Sequence, residues 1–191
     1  MQTIEIVASI LGLICVVLTV RRHIACWPVG LAMVMLYIGI FYQARLYSDM
    51  LLQVVYVFLQ IYGWHAWLHG QPDHSPLAIT PLPLKHCLPW LACGITGTLS
   101  LGTFMHVATD ASFPYLDALV TVASLIAQWL MGRKVLESWL VWIFVDCLAV
   151  GLYFSKELYP TAVLYLLFLL LAIWGWLDWR VEWKKLGMAS S

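Results

Sequence analysis

The chain has 191 residues, 63% of them hydrophobic and 10% charged, with a formal net charge of zero. A soluble domain usually carries about 25% charged residues and could not bury so much apolar surface, so the composition excludes a soluble enzyme. Its ten Lys and Arg are balanced by ten Asp and Glu and form no basic block, so a nucleic-acid partner is excluded as well.

Crossing a bilayer takes about 20 apolar residues in a helix, and seven stretches meet that need. The first runs from Ile4 to Val20 and stops at Arg21, Arg22 and His23. A cleavable signal peptide has its charges before the apolar run, so this order predicts a membrane helix. The second starts at Trp27-Pro28, with proline in a permitted first-turn position, and ends at Gln43. The third runs from Asp49 to Leu68. A polar loop with four prolines follows, from Gly70 to Leu84. The fourth spans His86 to Met105, and the fifth begins at Pro114 and ends before Arg133-Lys134. The sixth spans Trp139 to Phe154 and the seventh Pro160 to Trp179. The runs are too long and continuous for the alternating strands of a membrane β-barrel.

The basic residues orient the chain. One side holds Arg21, Arg22, Lys85, Arg133, Lys134, Arg180, Lys184 and Lys185, and the other only Arg45 and Lys156. This predicts an inner-membrane protein with its N-terminus periplasmic and its C-terminus cytoplasmic. Trp27, Trp64, Trp67, Trp90, Trp176, Trp179 and Trp183 fall near span ends and are expected to form an interfacial belt.

Residues 9–67 align with 121–179 without a gap, a shift of 112, with 16 of 59 positions identical. Arg21-Arg22 meets Arg133-Lys134, Trp27 meets Trp139, Gly39 meets Gly151, and Leu46-Tyr47 meets Leu158-Tyr159. Each copy holds three helices with one between them, so both copies enter the membrane the same way. The expected fold is therefore an all-α membrane protein of seven transmembrane helices in a 3+1+3 plan of parallel repeats. Residues 1–68 form the first repeat, 69–112 the loop and linker helix, 113–183 the second repeat, and 184–191 a cytoplasmic tail. Parallel repeats occur in transporters, with the substrate site at the repeat interface.

The copies differ where chemistry is to be sought. Val34 answers to Asp146, Gly30 to Trp142, Val17 to Trp129 and Val16 to Gln128, which predicts a site built mainly on the fifth and sixth helices. A carboxylate mid-span, as at Asp146, is costly and normally lines a path or meets a partner. Trp139, Trp142 and Asp146 are spaced by three and four and share one helix face. Two aromatic planes and an acceptor suit a flat, cationic heterocycle, although tryptophans also pack helices together. Gln128 and Ser124 on the fifth helix, and Gln53 and Gln60 on the third, serve either substrate contacts or helix–helix hydrogen bonds. Tyr37 and Tyr56 could add hydroxyls. Asp49, Asp117 and Glu137 lie at span ends, where caps and anchors are expected.

His65, His69 and His74 cluster without an HExxH, so no metal is expected. Cys15, Cys26, Cys87, Cys93 and Cys147 form no CxxC pair and read as small apolar residues. Walker A and GxGxxG patterns are absent, as is a recognisable nucleophile with its base, so neither ATP-driven pumping nor an enzyme is expected, and no cofactor.

Three segments carry a resemblance: FYQARLYSDMLLQVVYVFLQIYGWHAW (41–67), FPYLDALVTVASLIAQWLMGRKVLESWLVW (113–142) and GLYFSKELYPTAVLYLLFLLLAIWGW (151–176). Their tryptophan, LY and GW signatures resemble the PnuC-type vitamin transporters, across nearly the whole chain. The resemblance implies a SWEET-like fold, a homotrimer with one path per subunit, and facilitated diffusion of nicotinamide riboside. A separate cytoplasmic kinase would then trap the substrate by phosphorylation. Trp139 and Trp142 match the family's sixth-helix tryptophans. Ser138 and Asp146 stand where the riboside carriers usually have asparagine. A carboxylate only accepts hydrogen bonds, which suits the aminopyrimidine of thiamine. Related branches carry thiamine or riboflavin, so a thiamine uniporter is the alternative expectation, and a non-transporting structural membrane protein comes a distant third.

Overall fold

The computed structural model describes residues 2–43, 45, 47–70, 77–109, 113–155, 157 and 159–189. Seven helices result: α1 Gln2–Val20, α2 Cys26–Gln43, α3 Tyr47–His69, α4 Leu84–Ala108, α5 Pro114–Gly132, α6 Ser138–Ser155 and α7 Tyr159–Ala189. All seven are long and apolar enough to cross a membrane. Six match the sequence reading to within a few residues. The seventh does not stop at Trp179 but continues through Arg180, Lys184 and Lys185. Those charges end the apolar run without breaking the helix, because lysine and arginine are good helix formers. His74 and Leu158, which belong to the sequence reading, lie outside the described residues, as does Leu46 of the Leu46-Tyr47 pair.

The repeat is visible in the backbone. Positive φ occurs at Arg22 (56°) and Lys134 (51°), and at Arg45 (59°) and Glu157 (59°), both pairs separated by the same shift of 112. At the α1–α2 corner, Arg22 N–H donates to Thr19 O and His23 N–H to Leu18 O. At the α5–α6 corner, Lys134 N–H donates to Met131 O and Val135 N–H to Leu130 O. This pair of bonds is the Schellman ending of a helix, usually built on glycine. Here a basic residue takes the left-handed position, at the helix end where a positive charge is favourable.

The helices pack as two triples, α1–α2–α3 and α5–α6–α7, joined by α1 against α7 and α3 against α5. Those two joints are exchanged by the repeat, as a pseudo-twofold axis requires. Among the described residues, helix α4 packs on α5 alone.

A tryptophan cluster closes the end of the bundle that bears Arg22 and Lys134. Trp27 meets Trp67 edge-on at 5.4 Å, Trp139 meets Trp179 edge-on at 5.5 Å, and Trp67 and Trp179 approach to 6.1 Å. Trp67 Nε1 donates across to Met131 O, and Trp179 Nε1 donates back to Thr19 O and Val20 O. Two glycines admit the rings. A Cβ at Gly63 would overlap the Trp27 ring, and one at Gly175 would lie 2.6 Å from Trp139 Cη2. The expected interfacial belt is thus corrected for three of its seven tryptophans. Trp27, Trp67 and Trp179 are core residues, and Trp64, Trp176 and Trp183 pack against them. Burying these rings outweighs interfacial placement here, and Trp67 and Trp179 also bond their N–H groups inside the protein.

The two halves differ at this end. Arg22 pairs with Asp178, whereas Lys134, its counterpart, faces the chain 77–83. Lys134 Nζ donates to Leu77 O and sits 4.4 Å from the Trp67 ring centroid. Burial holds its ammonium below the usual lysine range, Cys26 opposes that shift, and Arg22 adds to it. Thr80 bridges Val135, Leu82 N–H donates to Glu137 at 2.6 Å, and Ile79 is buried. Residues 77–83 of the predicted polar loop therefore form a docked strap. Glu137, expected to favour the start of α6, is the acceptor that fastens it.

Candidate functional site

Helices α1–α3 and α5–α7 enclose a cavity of about 920 Å³. Its floor is made by Trp27, Met131 and Trp139 of the tryptophan cluster. Its far end reaches Glu5, Gln53 and Pro160 near the opposite helix ends. Small-molecule sites commonly measure about 300–1,000 Å³, so the space fits a vitamin-sized solute.

Nine of the ten residues singled out in the sequence meet at this cavity. Gln60, Gln128, Trp139, Trp142 and Asp146 line it, as do Tyr37, Gln53, Tyr56 and Ser124. The tenth does not: Ser138 is fully buried, and its hydroxyl donates to Val135 O at 2.7 Å, holding the first turn of α6. Trp139, Trp142 and Asp146 share the cavity face, as their spacing requires. Trp139 is nonetheless mainly a packing residue, wedged on Gly175 and Trp179 and 2% exposed. Half-buried Trp142 is the ring that presents itself.

Asp146 is 4% exposed and has no cation within ion-pair distance among the described residues, where Arg22–Asp178 is the one ion pair between side chains. An unpaired buried charge is costly, and a cationic guest relieves that cost. Gln60 is 6% exposed, and its amide finds no hydrogen-bond partner among the described residues. Trp27 Nε1 and Trp139 Nε1, equivalent positions in the two repeats, are also buried and unpaired there. Buried polar atoms are normally satisfied, so at the cavity the Gln60 amide and the Asp146 carboxylate offer donors and acceptors to a guest.

The expectation of a site mainly on α5 and α6 is corrected. α1 and α7 supply much of the wall, including Thr19, Val16, Thr161 and Tyr165, and α3 supplies three of the polar groups. The pseudo-twofold axis brings both repeats to the cavity, so neither copy can own it. Trp129, marked by its difference from Val17, instead stacks on Tyr62 at 4.5 Å between α5 and α3. Trp27, Glu5 and Tyr165 were missed. For Trp27 the signal was present, since it is the counterpart of Trp139.

The family described as nicotinamide mononucleotide transporter matches residues 2–181. The nicotinamide riboside transporter PnuC of Escherichia coli (strain K12) is 30% identical, over 92% of this chain and 84% of that protein. The PnuC of Neisseria mucosa is 28% identical, over 94% of this chain and 72% of that protein. The riboflavin/roseoflavin transporter RibM of Streptomyces davaonensis is 26% identical, over 95% and 86%. A crystal structure of the vitamin B3 transporter PnuC superposes with a TM-score of 0.78 at 27% identity, covering 96% of this chain and 83% of that one. These relatives are transporters rather than enzymes. Seven membrane-length helices, a cavity between two repeats and a match along almost the whole sequence lead to one assignment: this multi-pass bacterial membrane protein belongs to the nicotinamide mononucleotide transporter family.

Proposed function

We propose that this chain carries nicotinamide riboside across the bacterial inner membrane by facilitated diffusion, its N-terminus periplasmic and its C-terminus cytoplasmic. A separate cytoplasmic kinase traps the product by phosphorylation. The observation that carries this reading is the meeting of the Trp142 ring with the Gln60 and Gln128 amides in one cavity, in a member of a nicotinamide mononucleotide transporter family. The pyridinium ring of the riboside is flat and cationic. Trp142 stacks on it, and Asp146 supplies the countercharge. Gln60 and Gln128 read the carboxamide, since an amide both donates and accepts. Tyr37, Gln53, Tyr56 and Ser124 line the way. Trp139 closes the floor. The working unit is a homotrimer, for which the exposed apolar face of α4 (Leu88, Leu91, Ile95, Leu99) offers a surface.

A thiamine uniporter is the second reading. It rests on Asp146, whose carboxylate accepts from an aminopyrimidine but cannot donate to a carboxamide. Ser138 no longer adds support, because its hydroxyl is engaged by Val135.

Calorimetry of the purified protein with both vitamins in parallel separates the readings. Tight binding of the riboside alone is expected, and tight binding of thiamine alone would replace the first reading with the second. In liposomes, the bound vitamin should equilibrate without accumulation, and an imposed pH gradient should not drive it. Uphill uptake under that gradient would exclude facilitated diffusion.

A further inference from the structure

Gly30 stands in the second turn of α2, inside the helix, where glycine is a poorer helix former than alanine. Its φ is not positive, so the backbone does not ask for glycine. Space does. A Cβ built on Gly30 would lie 2.5 Å from Gln60 Nε2, 2.9 Å from Cδ and 3.0 Å from Oε1. The whole amide plane of Gln60 therefore rests on the bare Cα of Gly30. Gly30 itself does not line the cavity, whereas Gln60 does, so Gly30 stands behind the amide.

The second repeat fills the equivalent place in the opposite way. Trp142 occupies the position of Gly30, and Ala172 that of Gln60. One half of the molecule has no side chain on the second helix and an amide from the third. The other has an indole on the second and a methyl on the third. This exchange gives the cavity an amide on one side of the pseudo-twofold axis and an aromatic plane on the other.

We propose that Gly30 is a specificity-determining positioning residue, whose missing side chain seats the Gln60 amide so that it reads a donor–acceptor edge on the substrate. Both a carboxamide and an aminopyrimidine present such an edge. The inference rests on the substrate reading above for the identity of the ligand, though not for the seating itself. It differs from the role of Gly63 and Gly175, where a rigid indole fills the notch. At Gly30 the obstructing atoms are the tip of a flexible side chain. A methyl group there should displace the amide and leave the helix packing intact.

The test compares wild type, Gly30→Ala, Gln60→Ala and the double variant. Binding of nicotinamide riboside and of thiamine is measured by calorimetry, with a thermal melt of each protein. Gly30→Ala should weaken binding about tenfold, the scale of one lost hydrogen bond. It should cost nothing further once Gln60 is alanine, and it should melt with wild type. An equal penalty in both backgrounds, no penalty in either, or a large fall in melting temperature overturns the proposal. A structure of the Gly30→Ala protein gives a ligand-independent reading. The amide should have left its seat with α2 and α3 unmoved, and helices spread around an unmoved amide would refute the idea. Should wild type bind neither vitamin, the substrate reading fails while this structure still decides the role of Gly30. The vitamin that shows the coupling identifies which edge is read.

Discussion

Asp146 and Val34 occupy equivalent positions in the two repeats, yet only one puts a charge into the cavity. A carboxylate at this depth, without a cation, makes the cavity prefer positive solutes. Removing the charge while keeping the shape isolates that effect. Asp146→Asn should weaken binding of cationic nicotinamide riboside about tenfold, or about 1.4 kcal/mol. It should leave binding of the neutral dihydro form nearly unchanged. Titration of both forms against both proteins measures the preference, and an unaltered ratio would mean that the charge is not read. Ser138 and Asp146 are eight residues apart on one helix. The hydroxyl turns back on its own first turn, whereas the carboxylate lines the cavity. A hydroxyl near a helix start has a backbone acceptor within reach, and that local bond competes with any ligand.

At the scale of the helices, glycine and tryptophan act as matched parts. The ring of Trp27 enters α3 at Gly63, and that of Trp139 enters α7 at Gly175. Alanine at either glycine forces a Cβ against a rigid ring, and overpacking of this kind costs about 1–3 kcal/mol. Gly63→Ala and Gly175→Ala should therefore each lower the melting temperature in detergent, unlike Gly30→Ala. Equal melting of all three would contradict the packing described here. The spans themselves were legible from hydropathy and length, because lipid demands an unbroken apolar run. Their rotation was not. In a membrane the outward face is as apolar as the packed one, so periodicity gives little clue to which side meets a neighbour. For that reason tryptophans near span ends read as an interfacial belt, while several of them are core.

For the molecule as a whole, two related triples meet about one axis. One end is closed by crossed indole bonds, by the Arg22–Asp178 pair and by the docked strap. Eight of the ten basic side chains belong to the loops and terminus on that side of the spans, which places it in the cytoplasm under the proposed function. A fluorescent protein fused after Ser191 should then fold and fluoresce in cells, and the same protein fused before Met1 should stay dark. The reverse pattern would invert the topology.

The number of spans, their parallel repeat and most of the polar residues at the cavity follow from the sequence by itself. Span length, charge bias and a constant shift of 112 are one-dimensional properties that need no contacts. Tertiary structure alone decided the rest. It seated Gln60 on Gly30, turned Ser138 away, drew α1 and α7 into the wall and folded residues 77–83 onto the α5–α6 corner. Each of these depends on which face of a helix meets which neighbour. That is set by close packing of side chains from distant parts of the chain, and apolar composition alone does not encode it.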